Sequence, residues 1–176
     1  MSGDQAQSQH AAAGKFLTFS ISKERYGVEI LRVQELIGVT HITHVPRCPE
    51  FIKGVINLRG KIIPVFDLRL KFGIEPIPYD EKTCIIVVNV NKGEQKLAIG
   101  VIVDTVLEVV NLAAEEIEPA PNYGSQLDSQ FIVGMGKKDG HLNILVDIQK
   151  ILTESDNQQL AALGAKATTE QSVTHE

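Results

Sequence analysis

The histidine, cysteine and carboxylate side chains of this sequence do not form a known catalytic pattern. His41, His44 and Cys48 lie within eight residues, yet no fourth ligand follows at a spacing that suits zinc. We therefore interpret them as loop or strand residues, and we interpret Glu115 and Glu116 as a solvated edge. The sequence contains no serine-hydrolase elbow, no phosphate-binding glycine loop and no zinc-protease histidine pair.

Two aspartates and a group of glycines have structural explanations. Asp67 and Asp147 each follow an apolar strand and precede a short segment with helical spacing, so each is predicted to be a helix N-cap. Gly134, Gly136 and Gly140 have the wrong spacing for a dinucleotide loop. The sequence thus predicts no catalytic residue, no metal ion and no cofactor, and the protein is not expected to be an enzyme.

Arg59 is the charged residue for which the neighbouring sequence is most informative about a binding role. It follows an alternating strand, Val-Ile-Asn-Leu, and precedes Gly60. A guanidinium keeps its charge and offers a fixed fork of donors to a carboxylate. The alternative is a solvated arginine at a hairpin tip, and these residues alone leave both interpretations open.

These residues belong to a pattern that the chain contains twice. Residues 51–72 match residues 131–152 at a spacing of 80 without a gap, and residues 27–37 match residues 100–110 at a spacing of 73. The change of spacing falls in a polar loop between residues 119 and 131. One module written twice predicts two similar halves.

The predicted fold class is all-β, with two small barrels side by side. Short β-branched runs alternate with turn residues, and Arg59-Gly60 and Asp139-Gly140 predict a hairpin in each half. Residues 26–37, read as one strand, carry apolar side chains on both faces, which predicts an apolar seam between the halves. The predicted limits are a disordered tail at 1–14, barrels at 15–82 and 83–152, and a mobile, partly helical tail at 153–176.

Composition narrows the classes of partner and location. The chain has 176 residues, of which 43% are hydrophobic and 22% charged, and its net charge of -5 argues against nucleic acid as the main partner. Two cysteines, Cys48 and Cys84, are too few for a disulfide framework. No secretory signal is evident, and the longest apolar runs, such as residues 97–103, are too short for a membrane helix. We expect a cytoplasmic protein.

The chain resembles the CheW-like family of chemotaxis coupling proteins. Three segments carry the resemblance, which extends over residues 15–152: FIKGVINLRGKIIPVFDLR at 51–69, YGVEILRVQE at 26–35 and IEPAP at 117–121. The resemblance implies two five-stranded, SH3-like barrels. It also implies a non-enzymatic adaptor that joins chemoreceptors, the methyl-accepting chemotaxis proteins, to the histidine kinase CheA and is recruited to their membrane-anchored arrays.

The resemblance also implies two protein-binding sites. The receptor hairpin tip would contact an apolar groove between the barrels, and we further predict that Glu35 and Arg59 pair to hold the wall of that groove. The CheW-like regulatory domain of the kinase would contact the first barrel, and the loop at residues 123–130 would make a second contact. The implied receptor-binding residues are Ile30, Val33, Glu35, Asn57, Arg59, Gly60, Val101 and Val103, and the implied kinase-binding residues are Val39, Ile42, Val45 and Phe51.

Two other functions are compatible with such a fold. The same module would also serve a non-flagellar chemosensory pathway or form part of a larger kinase. A barrel that binds a small ligand or an oligonucleotide needs exposed aromatic residues beside basic ones, whereas aromatics make up 5% of this chain and tryptophan is absent.

Overall fold

The described part of the chain forms two antiparallel-rich sheets and three α-helices. The computed structural model describes residues 13–120 and 130–174, with the backbone alone for Lys92 and for residues 165–174. The strands are β1 Gly14–Ile21, β2 Glu24–Glu29, β3 Val33–Gly38, β4 Ile52–Leu58, β5 Lys61–Asp67, β6 Cys84–Lys92, β7 Gln95–Val103, β8 Thr105–Leu112, β9 Ile117–Glu118, β10 Ile132–Lys138 and β11 His141–Val146. The helices are α1 Leu68–Lys71, α2 Ile148–Ile151 and α3 Glu154–Thr174.

The predicted all-β class is confirmed, although the two sheets differ in strand number. One sheet has six strands in the order β8-β1-β2-β11-β10-β9, and the other has five in the order β3-β6-β7-β5-β4. The sixth strand is the two-residue β9. In the part of the chain that the structure describes, no helix is long and apolar enough to cross a bilayer.

The short helices after Asp67 and Asp147 are also confirmed, and both aspartates are N-caps. Asp67 accepts hydrogen bonds from the amides of Arg69 and Leu70, and Asp147 accepts one from the amide of Gln149. The second carboxylate oxygen of Asp67 accepts a hydrogen bond of 2.7 Å from the hydroxyl of Tyr79. Burial and this hydrogen bond raise the pKa of Tyr79. A buried cap thus fastens the loop that leads to β6.

Each sheet combines strands from both sequence repeats. The hairpin β1–β2 joins β8, β10 and β11, whereas the equivalent hairpin β6–β7 joins β3, β4 and β5. Two matching parallel pairs, β2 with β11 and β5 with β7, connect the exchanged parts. The division predicted between residues 82 and 83 therefore falls between β5 and β6, inside the five-stranded sheet. Which segments would fold independently stays a prediction.

The exchange interrupts the strand predicted at residues 26–37, and it does the same at the equivalent place in the second repeat. Residues 26–37 do not form one strand, because β2 ends at Glu29, a 3-10 turn occupies Ile30–Arg32, and β3 begins in the other sheet. In the second repeat, Asp104 separates β7 from β8 at the return crossing. We call these the first and the second crossover. Apolar residues on both sides of each crossover mimic a long two-faced strand, although they belong to two sheets.

The hydrophobic core has three parts, and the largest lies between the sheets. The largest cluster takes Leu17 and Phe19 from the six-stranded sheet, Val88 and Val101 from the five-stranded sheet, and Leu160 from α3. Each sheet also encloses a smaller cluster. The apolar seam was predicted between the two halves of the sequence, whereas the largest cluster lies between two sheets that each contain strands of both halves.

The five-stranded sheet curls until the chain after β3 returns to β4. Thr43 and Val55 exchange two backbone hydrogen bonds of 2.8 and 2.9 Å there. Gly54 lies beside this bridge with a φ of 138°, and a Cβ on it would lie 1.9 Å from the carbonyl oxygen of Thr43. A left-handed conformation and a backbone contact this close both require glycine.

Replacing Gly54 with alanine should destabilise the fold by roughly 2–4 kcal/mol, because a methyl group has no space and the backbone conformation is strained. Urea unfolding monitored by circular dichroism measures this loss. Gly38→Ala is the matched control, since nothing lies within 4 Å of a Cβ at Gly38 in β3. Equal midpoints for the two variants would contradict the close approach.

Candidate protein-binding site

The site begins with the two-residue turn between β4 and β5. Arg59 and Gly60 have φ angles of 52° and 85°, and positive values at both positions are typical of a type I′ hairpin turn. The side-chain oxygen of Asn57 accepts a hydrogen bond of 2.9 Å from the amide of Gly60. Asn57 and Gly60 therefore hold a turn that places the Arg59 side chain, and the predicted hairpin is confirmed.

Arg59 binds Glu35 through two hydrogen bonds. Its Nη1 donates to Oε1 at 2.7 Å, and its Nη2 donates to Oε2 at 2.5 Å. Glu35 lies on β3 and Arg59 follows β4, which are the two ends of the strand order. The predicted pairing of these residues is present, and it joins the two edges of the curled sheet. Two parallel bonds fix the orientation of both side chains as well as their separation.

The pair is open to solvent on one side. The Arg59 side chain is 72% exposed and that of Glu35 is 22% exposed. The hydrogen bonds from Arg59 lower the pKa of Glu35, and the same bonds raise the pKa of Arg59. A guanidinium has five N–H donors, and this contact uses two of them. The arginine keeps donors for an oxygen of a bound protein.

Several apolar residues that precede or follow Glu35 in the chain, at the first crossover and on β3, are partly or largely exposed. Ile30 and Val33 are half-buried and pack against the large cluster between the sheets. Leu31 is 91% exposed and Leu36 is 43% exposed. The sequence interpretation missed Leu31, because residues 26–37 were read as one continuous strand, which gives no sign of a turn at this residue. A crossover turn at this place is what exposes it.

Val101 and Val103 require a correction. Each is 1% exposed and belongs to the large cluster between the sheets. Their side chains therefore support the site from beneath and do not line an open groove. The apolar residues that reach solvent here are Ile30, Leu31, Val33 and Leu36.

The residues predicted to contact the kinase lie in the segment that connects β3 to β4, with the last next to β4. Val39 and Ile42 pack against the inner cluster of the five-stranded sheet, whereas Val45 and Phe51 pack against the large cluster. All four are half-buried. The Phe51 ring also lies 4.5 Å from the ammonium of Lys71. Of the loop predicted to make the second kinase contact, residues 123–129 lie outside the described residues.

The structure also places the residues that were weighed as metal ligands. His41 and His44 are exposed, and Cys48 is half-buried. Within residues 13–120 and 130–174, no group of three or more His, Cys, Asp or Glu residues lies close enough to hold a metal ion.

Comparison with known proteins assigns the family. The family model for the CheW-like domain matches residues 15–156. The chain belongs to the CheW-like domain family. A CheW-like fold thus accounts for both sheets, the α1 and α2 helices and the start of α3.

Named relatives agree with this assignment. The chain is 42% identical to the chemotaxis protein CheW of Klebsiella aerogenes over 142 residues, which cover 81% of this chain and 83% of that protein. It is 34% identical to CheW of Thermotoga maritima over 140 residues, which cover 78% and 87% of the two chains. The crystal structure of the scaffolding protein CheW from Thermoanaerobacter tengcongensis matches with a TM-score of 0.70 and 37% identity, over 80% of this chain and 92% of that one. The predicted family and its role as a chemotaxis coupling adaptor are confirmed.

The Glu35–Arg59 pair predicts a measurable titration. Because the folded state lowers the pKa of Glu35, the contribution of the pair is complete above the unfolded-state pKa of about 4.3 and is lost as the pH falls through the lower folded value. In Arg59→Ala the pKa of Glu35 should rise towards the ordinary glutamate value. Carboxyl-detected NMR titration follows it directly. An identical Glu35 pKa in the wild type and in Arg59→Ala would contradict the pairing.

Proposed function

We propose that this CheW-like chain is a non-enzymatic adaptor that binds the hairpin tip of a chemoreceptor and the CheW-like regulatory domain of the histidine kinase CheA. The observation that carries the proposal is the Glu35–Arg59 pair, which β3 connects along the chain to the exposed apolar residues of the first crossover. Family membership supports partners of this class, and the geometry supports the choice of surface.

The proposed receptor site comprises Ile30, Leu31, Val33, Leu36 and the Glu35–Arg59 pair, with Asn57 and Gly60 holding the turn. A receptor tip is a pair of helices, and such helices bind through an apolar face. Large apolar side chains that become buried in the contact contribute most of the affinity. The 91% exposed Leu31 is such an anchor. The unused donors of Arg59 would bind helix-end carbonyls or a carboxylate at the rim and fix the orientation.

The proposed kinase site is the segment with Val39, Ile42, Val45 and Phe51. It leaves β3, which carries Glu35, and it leads into β4, which ends at the Arg59 turn. The Thr43–Val55 bridge fastens the middle of this segment to β4. A receptor that shifts β3 or the turn would therefore act on the kinase site through one continuous piece of chain. Such coupling requires that the receptor bind the two arrangements with different affinity.

Arg59→Ala should weaken binding to a receptor cytoplasmic fragment by roughly ten-fold or more while leaving kinase binding unchanged, because it removes the arginine donors and releases Glu35. Isothermal titration with each partner alone measures both affinities. Lys137→Ala is the matched control, since Lys137 forms an exposed ion pair with Glu118 in the other sheet. Loss of both partners in Arg59→Ala, with the fold intact, would refute the assignment of the receptor site.

A double-mutant cycle tests whether Glu35 and Arg59 act as one unit. If they do, Glu35→Ala plus Arg59→Ala should lose less receptor affinity than the product of the two single losses, because either change alone already frees the other side chain. Losses that multiply would mean that each residue contacts the receptor independently.

Ile42→Glu should give the opposite pattern to Arg59→Ala: kinase binding lost and receptor binding kept. The reason is that a carboxylate at a half-buried apolar position opposes the burial that a protein interface requires. Ile77→Glu makes the same change at a residue that is 41% exposed outside both proposed sites. Circular dichroism establishes that both variants are folded. Unchanged kinase affinity in a folded Ile42→Glu would exclude this segment from the kinase site.

A further inference from the structure

The second crossover is closed by a charged side chain. Asp104 is the one residue between β7 of the five-stranded sheet and β8 of the six-stranded sheet. Its amide donates to the carbonyl of Ser20 in β1 at 3.2 Å. Its Oδ2 accepts a hydrogen bond of 2.7 Å from the amide of Ser22 and one of 2.6 Å from Nη1 of Arg69. One carboxylate thus contacts a turn of one sheet and a helix of the other.

Arg69 is itself held in place. It lies in α1, where its amide is bonded to the capping carboxylate of Asp67, and its Nε donates to the carbonyl of Glu75 at 2.6 Å. The Arg69 and Asp104 side chains are only 11% and 19% exposed. Opposite charges attract more strongly where solvent screens them less, and an anchored arginine loses little freedom on pairing.

The first crossover lacks this device. The repeat spacing of 73 places Leu31 at the position of Asp104, and the spacing of 80 places Gln149 at the position of Arg69. Leu31 offers no charge and is 91% exposed. Gln149 bonds instead to the amide and carbonyl of Asn91 at the end of β6, at 3.2 and 3.1 Å. Gln149 lies in α2, which follows β11 of the six-stranded sheet, and Asn91 lies on β6 of the five-stranded sheet, so neutral hydrogen bonds link the sheets there. The two equivalent crossings therefore differ in chemistry, because only the second is closed by a charged pair.

We propose that Arg69 and Asp104 form a positioning clamp, which fixes the angle between the two sheets at the second crossover. Motion of one sheet against the other is then smaller at the second crossover than at the first, the turn that carries Ile30 and Leu31. The clamp thereby sets the position of the receptor site although neither residue belongs to it. The step from sheet angle to receptor binding rests on the proposed function, whereas the clamp itself does not.

Distances between the sheets test the clamp without any partner. Spin labels at Lys61→Cys and His141→Cys mark exposed, repeat-equivalent positions on β5 and β11, in a full-length chain with Cys48→Ala and Cys84→Ala. Asp104→Asn keeps an oxygen for Ser22 but removes the charge, and its label distance distribution should be wider than that of the wild type. Glu118→Gln is the matched control, because it neutralises an exposed ion pair within one sheet.

A second variant guards against a simple loss of folding. Arg69→Gln leaves Asp104 bonded to Ser22 and should widen the distribution in the same way, after circular dichroism has established that the chain is folded. Distributions in both folded variants that match those of the wild type and Glu118→Gln would overturn the clamp.

Receptor binding tests whether the clamp sets the position of the receptor site. Asp104→Asn should lose between about 2-fold and 30-fold in affinity for a receptor cytoplasmic fragment, the range by which residues outside a site commonly alter it, whereas Glu118→Gln should keep full affinity. A wider distance distribution with unchanged affinity would overturn the effect of the clamp on receptor binding, whereas the clamp between the two sheets would stand. A wild-type chain that does not bind the fragment would instead refute the proposed function, and the distance measurement would still decide the clamp.

Discussion

The structure depends on one constraint: both sheets carry apolar side chains on two faces, and one of these faces in each sheet is covered by the other sheet. Strand β6 makes this plain, because Ile85 and Val87 enter the inner cluster of its own sheet while Ile86 and Val88 enter the cluster between the sheets. A domain half the size of this chain buries too small a fraction of its surface to be more than marginally stable. The shared cluster supplies the missing burial, and it fixes where the chain must cross from sheet to sheet.

Polar contacts then fix the positions of the surface residues at the edges of that apolar core. The Glu35–Arg59 pair joins two sheet edges that no backbone ladder links among the described residues. Asp67 caps α1 and holds Tyr79, and Asp104 closes a crossover. Exposed charges on flexible stems contribute little to stability, whereas bidentate or anchored ones fix geometry. The arrangement suits a protein whose function is to hold two partners in a set relation.

Much of this fold could be predicted from the sequence, because the informative signals were local. The cap positions of Asp67 and Asp147 and the turn at Arg59-Gly60 need only neighbouring residues, and the resemblance at residues 51–69 identified the family. The pairing of Glu35 with Arg59 was proposed among the receptor-contacting residues that the resemblance implied, and local spacing alone does not predict it, because β3 and β4 lie at opposite ends of the strand order. The exchange of hairpins could not be predicted, since an internal repeat has the same spacing whether its strands pair within a copy or between copies. The exposure of Leu31 and the burial of Val101 and Val103 both follow from that exchange.

The exchanged hairpins have a consequence for how the chain is made. As the polypeptide leaves the ribosome, β1 and β2 emerge first, yet their neighbours in the finished sheet are β8 and β11. Arg25 on β2 donates a hydrogen bond to Asn143, 118 positions later. Contacts this distant in sequence slow folding and leave unpaired strand edges waiting during synthesis. The six-stranded sheet can therefore close only after β10 and β11 have been made, whereas the five-stranded sheet has all its strands by residue 103. A nascent chain halted between these points exposes β-strand edges of β1 and β2 that the finished sheet covers.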